Sequence, residues 1–296
     1  MDFSTIIIQF LNGLAIGSIL ILLSLGLTIV FGMMGIVNIA HGVFYMLGAY
    51  LAHTLALHLQ INFSIVLIIA FGSNFLLGCL LETSAIRPLV KWNRIPIHFM
   101  IMTLGVAFIS QELFKMIWGP ETKLVEIPGF LQGVMQVGPI IYSKYWLFVI
   151  GFTLAVTLVI SVFFNKAGTG ILVKSLLMNN SVSQALGTNA ASLNTLVFGL
   201  GSGIAGIAGV LAAPILTAST NMCFDMIMIM FVVIIFGGLG SLLGVVVSGL
   251  IIGMVLSFGT SFVSGTFANV FVFIVMIAIL MIKPLGLFGR PGLLKL

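Results

Sequence analysis

The chain of 296 residues is 61% apolar and 6% charged, whereas soluble domains run at roughly half apolar and a quarter charged; this is an integral membrane protein. Several windows exceed the ~18 uncharged residues needed to cross ~30 Å of hydrocarbon as helix, and such unbroken runs exclude a barrel, whose strands alternate. The net charge of +5 comes from basic residues scattered through short loops without aromatic interleaving, a pattern that orients a membrane protein and does not bind nucleic acid.

The N-terminal MDFSTIIIQF has neither a basic leader nor a small-residue cleavage site and reads as the start of the first span. Spans are predicted at Ile6–Phe31, Ile39–Leu57, Phe63–Leu81, Ile97–Trp118, Tyr145–Phe164, Leu193–Leu216, Met226–Phe236, Leu243–Val263 and Phe267–Ile282. The fold class is therefore all-α, one polytopic transmembrane domain over residues 1–296 with about 8–10 helices. Met226–Phe236 is short for a crossing, which leaves a re-entrant segment open there.

The first two spans meet in FGMMGIVNIAHGVFYMLGAY, Phe31–Tyr50, where glycines, Asn38 and His41 interrupt an apolar run. A backbone broken at membrane depth survives only where protein or a water-filled cavity satisfies its freed N–H and C=O groups. The break thus points to a translocation path or gate at Asn38, His41 and Gly42, against the plainer alternative of a tight loop between ordinary spans. Asn38 and His41 fall on one face of a helix start, with Asn38 able to cap free N–H groups. Two roles fit: holding a carboxylate or carbonyl at the positive helix end, or locking the break against a neighbouring helix. The inward position of the break favours the lock.

Glu82 closes the third span and can pair with Arg87; on the fourth, Glu112 and Lys115 pair on one face beside Gln111. The loop Gly119–Lys144, with Pro120, Pro128 and Pro139, carries no catalytic grouping and is too small for a ligand-binding domain, so capture of a solute would fall to another polypeptide. In the loop Asn165–Asn194, NNSVSQALGTNAAS reads as a short helix ended near Gly187, with Asn179, Asn180 or Ser181 as N-cap; it offers a docking surface or is a connector. GTGILVKS, Gly168–Ser175, ends like a phosphate-binding loop but lacks the glycine before Lys174, and is rejected.

GSGIAG, Gly201–Gly206, is a literal dinucleotide fingerprint set inside an apolar helix, where that fingerprint has no meaning. Gly199 with Gly203, Gly201 with Ala205, and Ala205 with Gly209 instead place small residues four apart, and with Gly206 they let another helix approach. FGGLGSLLGVVVSG, Phe236–Gly249, is a second interrupted block in the opposite half of the chain. Matching breaks point to a transport path at Gly237, Gly238 and Gly240; glycine used for packing gives the same pattern. Cys79 and Cys223 sit in apolar runs without metal-ligand spacing and read as small buried hydrophobes. His41 has no Cys or Asp near it in sequence, and no catalytic constellation or metal site appears, so the chain is not expected to be an enzyme.

Arg87, Lys91 and Arg94, then Lys166 and Lys174, then Lys283, Arg290 and Lys295 all fall on one side of nine spans, while Lys115, Lys123 and Lys144 fall on the other with Glu121 and Glu126. The basic side is cytoplasmic, which puts the N-terminus outside, periplasmic in a bacterial cell, and the C-terminus inside.

The segment Asn12–Tyr50, with Asn38, Ala40, His41 and Gly42, together with ETSAIRPL from Glu82, ALGTN from Ala185, FGLGSGIAGIAGVL from Phe198, FGGLGSLLG from Phe236 and PLGLFGR from Pro284, resembles the permease subunits of ABC importers for branched-chain amino acids, whose relatives import urea or short amides. The resemblance covers nearly the whole chain. It implies two inversely related halves in the bundle, a location in the bacterial inner membrane, a second permease subunit in a homo- or heterodimer, a periplasmic substrate-binding protein, and ABC ATPase subunits that bind the ATP. It also implies that residues 165–194 hold the helix that couples to the ATPase, at Gln184, Ala185, Leu186 and Gly187. This chain departs from the pattern at Val43, where relatives commonly carry an acid, in the uncharged run after Lys174, and near Leu256. A self-sufficient secondary carrier or channel is the alternative from another class; it would need an embedded ionisable relay, for which Glu112 is the mid-chain candidate.

Overall fold

The computed structural model describes residues 3–35, 37–58, 61–92, 95–138, 140–178, 188–263 and 265–289. Its helices are α1 (Phe3–Met34), α2 (His41–His53, extended by a π turn over Thr54–His58), α3 (Phe63–Leu81), α4 (Arg87–Trp92), α5 (Pro96–Trp118), α6 (Lys144–Lys166), α7 (Gly168–Met178), α8 (Ala190–Leu216), α9 (Met222–Gly237), α10 (Leu242–Phe262) and α11 (Gly265–Ile282). Six of the passages, in α1, α3, α5, α6, α8 and α10, are long and apolar enough to cross a membrane alone. The shorter apolar helices α9 and α11 and the 13-residue α2 complete the bundle among the described residues.

α1 and α8 form the core. In each, 83% of the most apolar window is buried, against 22% to 39% in the other long spans. Glycine explains how α8 admits so many neighbours: Gly201 meets Gly26 of α1, Gly206 meets Gly48 of α2, and Gly199 meets Cys79 of α3. Along α1, Gly13 and Gly17 meet Met254, Gly249 and Gly253 of α10. Without a hydrophobic force between helices in lipid, close backbone approach of this kind supplies the packing energy. The two halves exchange partners, α3 lying along α8 and α10 along α1. Both contacts are antiparallel: Gly13 and Gly17 of α1 face Met254 and Gly249 of α10, and Gly199 and Gly206 of α8 face Cys79 and Ala70 of α3.

α3 ends at Leu81 with Glu82 as its C-cap, as expected, but the chain does not turn away there. The helix continues through a π turn over Glu82–Ile86 into α4, so that Phe63–Trp92 is one continuous rod. The wider turn relieves Pro88, whose ring would press on the preceding carbonyls in a regular helix. Thr83 and Ser84 return their hydroxyls to the Cys79 and Leu80 carbonyls, which hides these polar groups from lipid. The loop Gly119–Lys144 holds an antiparallel hairpin, β1 (Val134–Val137) and β2 (Ile140–Ser143), with Val137 opposite Ile140. Upstream of it Lys123 and Ala218 exchange both backbone hydrogen bonds, at 2.7 and 2.9 Å.

Candidate functional site

The first interruption is where the sequence placed it. Gly35, with φ of 64°, ends α1 in the left-handed conformation that a residue without Cβ adopts freely, and α2 begins at His41. Ala40 is the N-cap and offers no side-chain bond; the Asn38 carboxamide, expected as a cap, has no partner on either Oδ1 or Nδ2. Asn38 and His41 are both fully buried. The His41 Nε2 lies 3.3 Å from the Leu23 carbonyl of α1, and its ring packs against Gly26 and edge-on to Phe44. A Cβ on Gly42 would lie 2.4 Å from the Cys223 carbonyl of α9. In this conformation neither side chain reaches open space.

The glycines of the second block sit elsewhere in the architecture. Gly238 and Gly240 have φ of 102° and 77° and make the turn between α9 and α10, with the Ser241 hydroxyl accepting from Gly244 N–H at 3.0 Å. Gly237 is pressed against Gly244 and Ser248. The tail returns onto this turn: Leu287 and Phe288 N–H donate to the Phe236 and Gly237 carbonyls at 2.9 and 3.0 Å, and Gly289 lies against Gly238. The orphan carbonyls at the end of α9 are thereby satisfied by the Pro284–Gly289 segment. The FGGLG and PLGLFG motifs thus belong to one contact.

A further interruption lies at Thr217–Asn221, which follows the buried α8 as 35–40 follows the buried α1 and contains no glycine. It turns at Thr217, with φ of 61°, the described chain's positive-φ residue that is not glycine. Such a conformation costs a β-branched residue about 1–3 kcal/mol. The paired bonds of Ala218 with Lys123 hold it in place.

A single helix measures the depth of both breaks. The buried stripe of α5 runs Phe99, Thr103, Ala107, Gln111, Phe114. Ile39 N–H donates to the Thr103 hydroxyl at 3.1 Å, and the Gln111 amide donates to Asn221 Oδ1 at 2.7 Å. Eight residues of helix separate the two anchors by ~12 Å. The rings of Phe108 and Phe224 lie 4.9 Å apart, so α5 and α9 run antiparallel here. That register sets Asp225 level with Ala107, the middle residue of α5. α2 and α9 therefore both begin inside the membrane, overlap by about one turn where Gly42 meets Cys223, and leave it on opposite faces.

The sequence did not single out Thr103, which lies within the predicted span Ile97–Trp118, or Asn221 and Asp225, which fall between the predicted spans Leu193–Leu216 and Met226–Phe236. The signal was the length of the seventh span, too short when started after Asp225 and 16 residues when started at Met222. In the protomer Asn221 and Asp225 are exposed, and Asp225 has no ion pair among the described residues. Glu112 and Lys115 pair at 2.7 Å on the surface of α5.

Of the packing glycines, Gly199 faces Cys79 and Phe75, Gly203 faces Phe71, Gly206 faces Asn74 and Ala70, and Gly209 faces Tyr45 and Ala49. Gln184, Ala185, Leu186 and Gly187 lie outside the described residues, as do Asn179, Asn180 and Ser181. Their flank is firmly tied: the buried Glu82 carboxylate takes Arg87 in two bonds, at 3.2 and 2.8 Å, and the Thr195 hydroxyl of α8 at 2.7 Å. Arg87 reaches on to the Ala191 carbonyl at 3.1 Å. On the hairpin face a cavity of about 340 Å³ opens between Ala52, Phe63, Val125, Pro128 and Phe130. No group of His, Cys, Asp or Glu among the described residues could hold a metal ion.

Residues 9–280 match the family model described as branched-chain amino acid transport system, permease component. The chain is 27% identical to the high-affinity branched-chain amino acid transport system permease protein BraD of Pseudomonas aeruginosa over 97% of both chains. It is 26% identical to the corresponding LivH of Escherichia coli K12 over 97% of this chain and 96% of that one. With a probable LivH of Methanocaldococcus jannaschii it shares 30% identity over 92% of this chain and 89% of the relative. No solved structure matches it.

Proposed function

Because the chain belongs to the family of permease components of branched-chain amino acid transport systems, we propose that it is the membrane-spanning subunit of an ABC importer for branched-chain or related amino acids. The observation that carries this reading is the match over residues 9–280, which covers nearly the whole chain. The family is one of transport permeases and not of enzymes. The hairpin face is outside, where a separate binding protein delivers the amino acid; the tail face is cytoplasmic, where two ATPase subunits dock on the loop holding Gln184–Gly187. A second permease chain, identical or related, completes the pore. Asn38, His41 and Gly42 act as the lock of the first break, and Gly237, Gly238 and Gly240 as the hinge of the α9–α10 turn, around which the bundle shifts between outward-open and inward-open states. ATP binds only to the companion subunits.

The test is uptake of leucine, isoleucine and valine by the importer purified with its companions and reconstituted in liposomes. Uptake is expected only with enclosed ATP and the binding protein. Uptake by the permease alone would favour a secondary carrier, and uptake of urea or short amides in place of amino acids would reassign the substrate.

A further inference from the structure

We propose that Asp225 and Asn221 hold the head group of the transported amino acid at the middle of the membrane, Asp225 taking the ammonium and Asn221 the carboxylate. The proposal rests on the amino acid import argued above. Asp225 lies level with the midpoint of α5, points out of the protomer, and meets no cation among the described residues. Carboxylates within membrane-spanning segments face a bundle interior or a water-filled cavity, because facing lipid is costly. The open face of α9 at this depth is thus not a lipid face.

Its other residues define what the face would take. Asn221 and Asp225 stand four apart, which brings their side chains side by side at about 5–6 Å between Cβ atoms, the span of an α-amino acid head group. With Oδ1 accepting from Gln111, the Asn221 NH2 is uncommitted among the described residues and is free to donate to a carboxylate. Gln111 is itself buried on the inner stripe of α5 and fixes that amide. One turn below, Met228 is 63% exposed on the same face; a flexible thioether suits aliphatic side chains of different shapes. Acid, amide and adaptable apolar surface in one row match a zwitterion with an aliphatic side chain, and a neutral amide would leave the acid unpaired.

The experiment compares the reconstituted importer, with its companions and binding protein, carrying Asp225→Asn, Asp225→Glu or Asn221→Ala. Leucine uptake by Asp225→Asn is expected to fall about tenfold or more, the worth of one charged hydrogen bond. Asp225→Glu should recover part of it, and all variants should elute as the assembled complex. With Cys79 and Cys223 replaced, Asp225→Cys should react with a membrane-impermeant cationic thiol reagent, which only a hydrated path allows. Uptake by Asp225→Asn within twofold of the parent overturns the proposal. So does dissociation of that variant from its companions, which would assign Asp225 to a subunit contact, and so does an unreactive Asp225→Cys. Absence of amino acid uptake by the unsubstituted importer would remove the import reading itself, and is seen before any variant is tested.

Discussion

Gly48→Ala adds one methyl group at the contact of α2 with α8, and the geometry there leaves it no room. The new Cβ would lie 2.0 Å from the Gly206 carbonyl oxygen and 2.8 Å from its carbon. Restoring an ordinary contact requires the two backbones to part by about 1.2 Å, and overpacking of this kind costs about 1–3 kcal/mol. The obstacle is main chain, with no flexible side-chain end to swing aside. α8 cannot retreat either, since a Cβ on its Gly206 would already lie 2.4 Å from the Asn74 amide, and Gly201 is equally tight against Gly26. The cost therefore falls at the upper end, about 3 kcal/mol, or roughly 5 °C in melting temperature for a chain of this size. The control is Gly105→Ala inside α5, where nothing lies within 4 Å of the new Cβ; there the gain in helix propensity, about 0.5–1 kcal/mol, should leave the midpoint unchanged or slightly raised. Both variants are melted in the same detergent and followed by size-exclusion fluorescence. Equal midpoints for the two would refute the claim that glycine-mediated backbone contact holds the core together.

Glu82→Ala removes the acceptor of Arg87 and Thr195 at the π turn that joins α3 to α4; because Arg87 is partly exposed, about 1.5–2 kcal/mol is expected, with Glu82→Gln milder, measured by the same melting assay. Trp118→Phe deletes the 2.8 Å bond from the indole N–H to the Thr54 hydroxyl while keeping the stack with Phe114; a loss of about 1 kcal/mol should appear, and none would mean that water replaces the bond. Gly187→Asp is expected to abolish uptake at normal membrane abundance, and normal transport by it would remove the coupling role from that loop. For orientation, Gln132→Cys should react with an impermeant reagent from outside intact cells and Trp92→Cys should not; the reverse pattern would invert the topology.

Composition and spacing alone determined that this chain lives in a membrane as helices, roughly where each passage lies, and that the first break falls at Phe31–Tyr50. These are readable because the free energy of moving side chains into hydrocarbon adds along the sequence, and because glycine, asparagine and histidine in a greasy run oppose it locally. The interruption after α8 was not readable. Phe236–Gly249 carried glycines that make a turn and receive the tail, while the interruption at Thr217–Asn221 needed no glycine, since strands of loop around Lys123 and Ala218 hold the turned backbone. Nor could any count of apolar residues place Asn221 and Asp225 at depth. Depth was decided by Gln111 and Phe108 on α5, far away in sequence, which receive the start of α9 inside the membrane. A chain can begin a helix in mid-bilayer only where distant groups satisfy what the break exposes, and only the packed bundle brings those groups together.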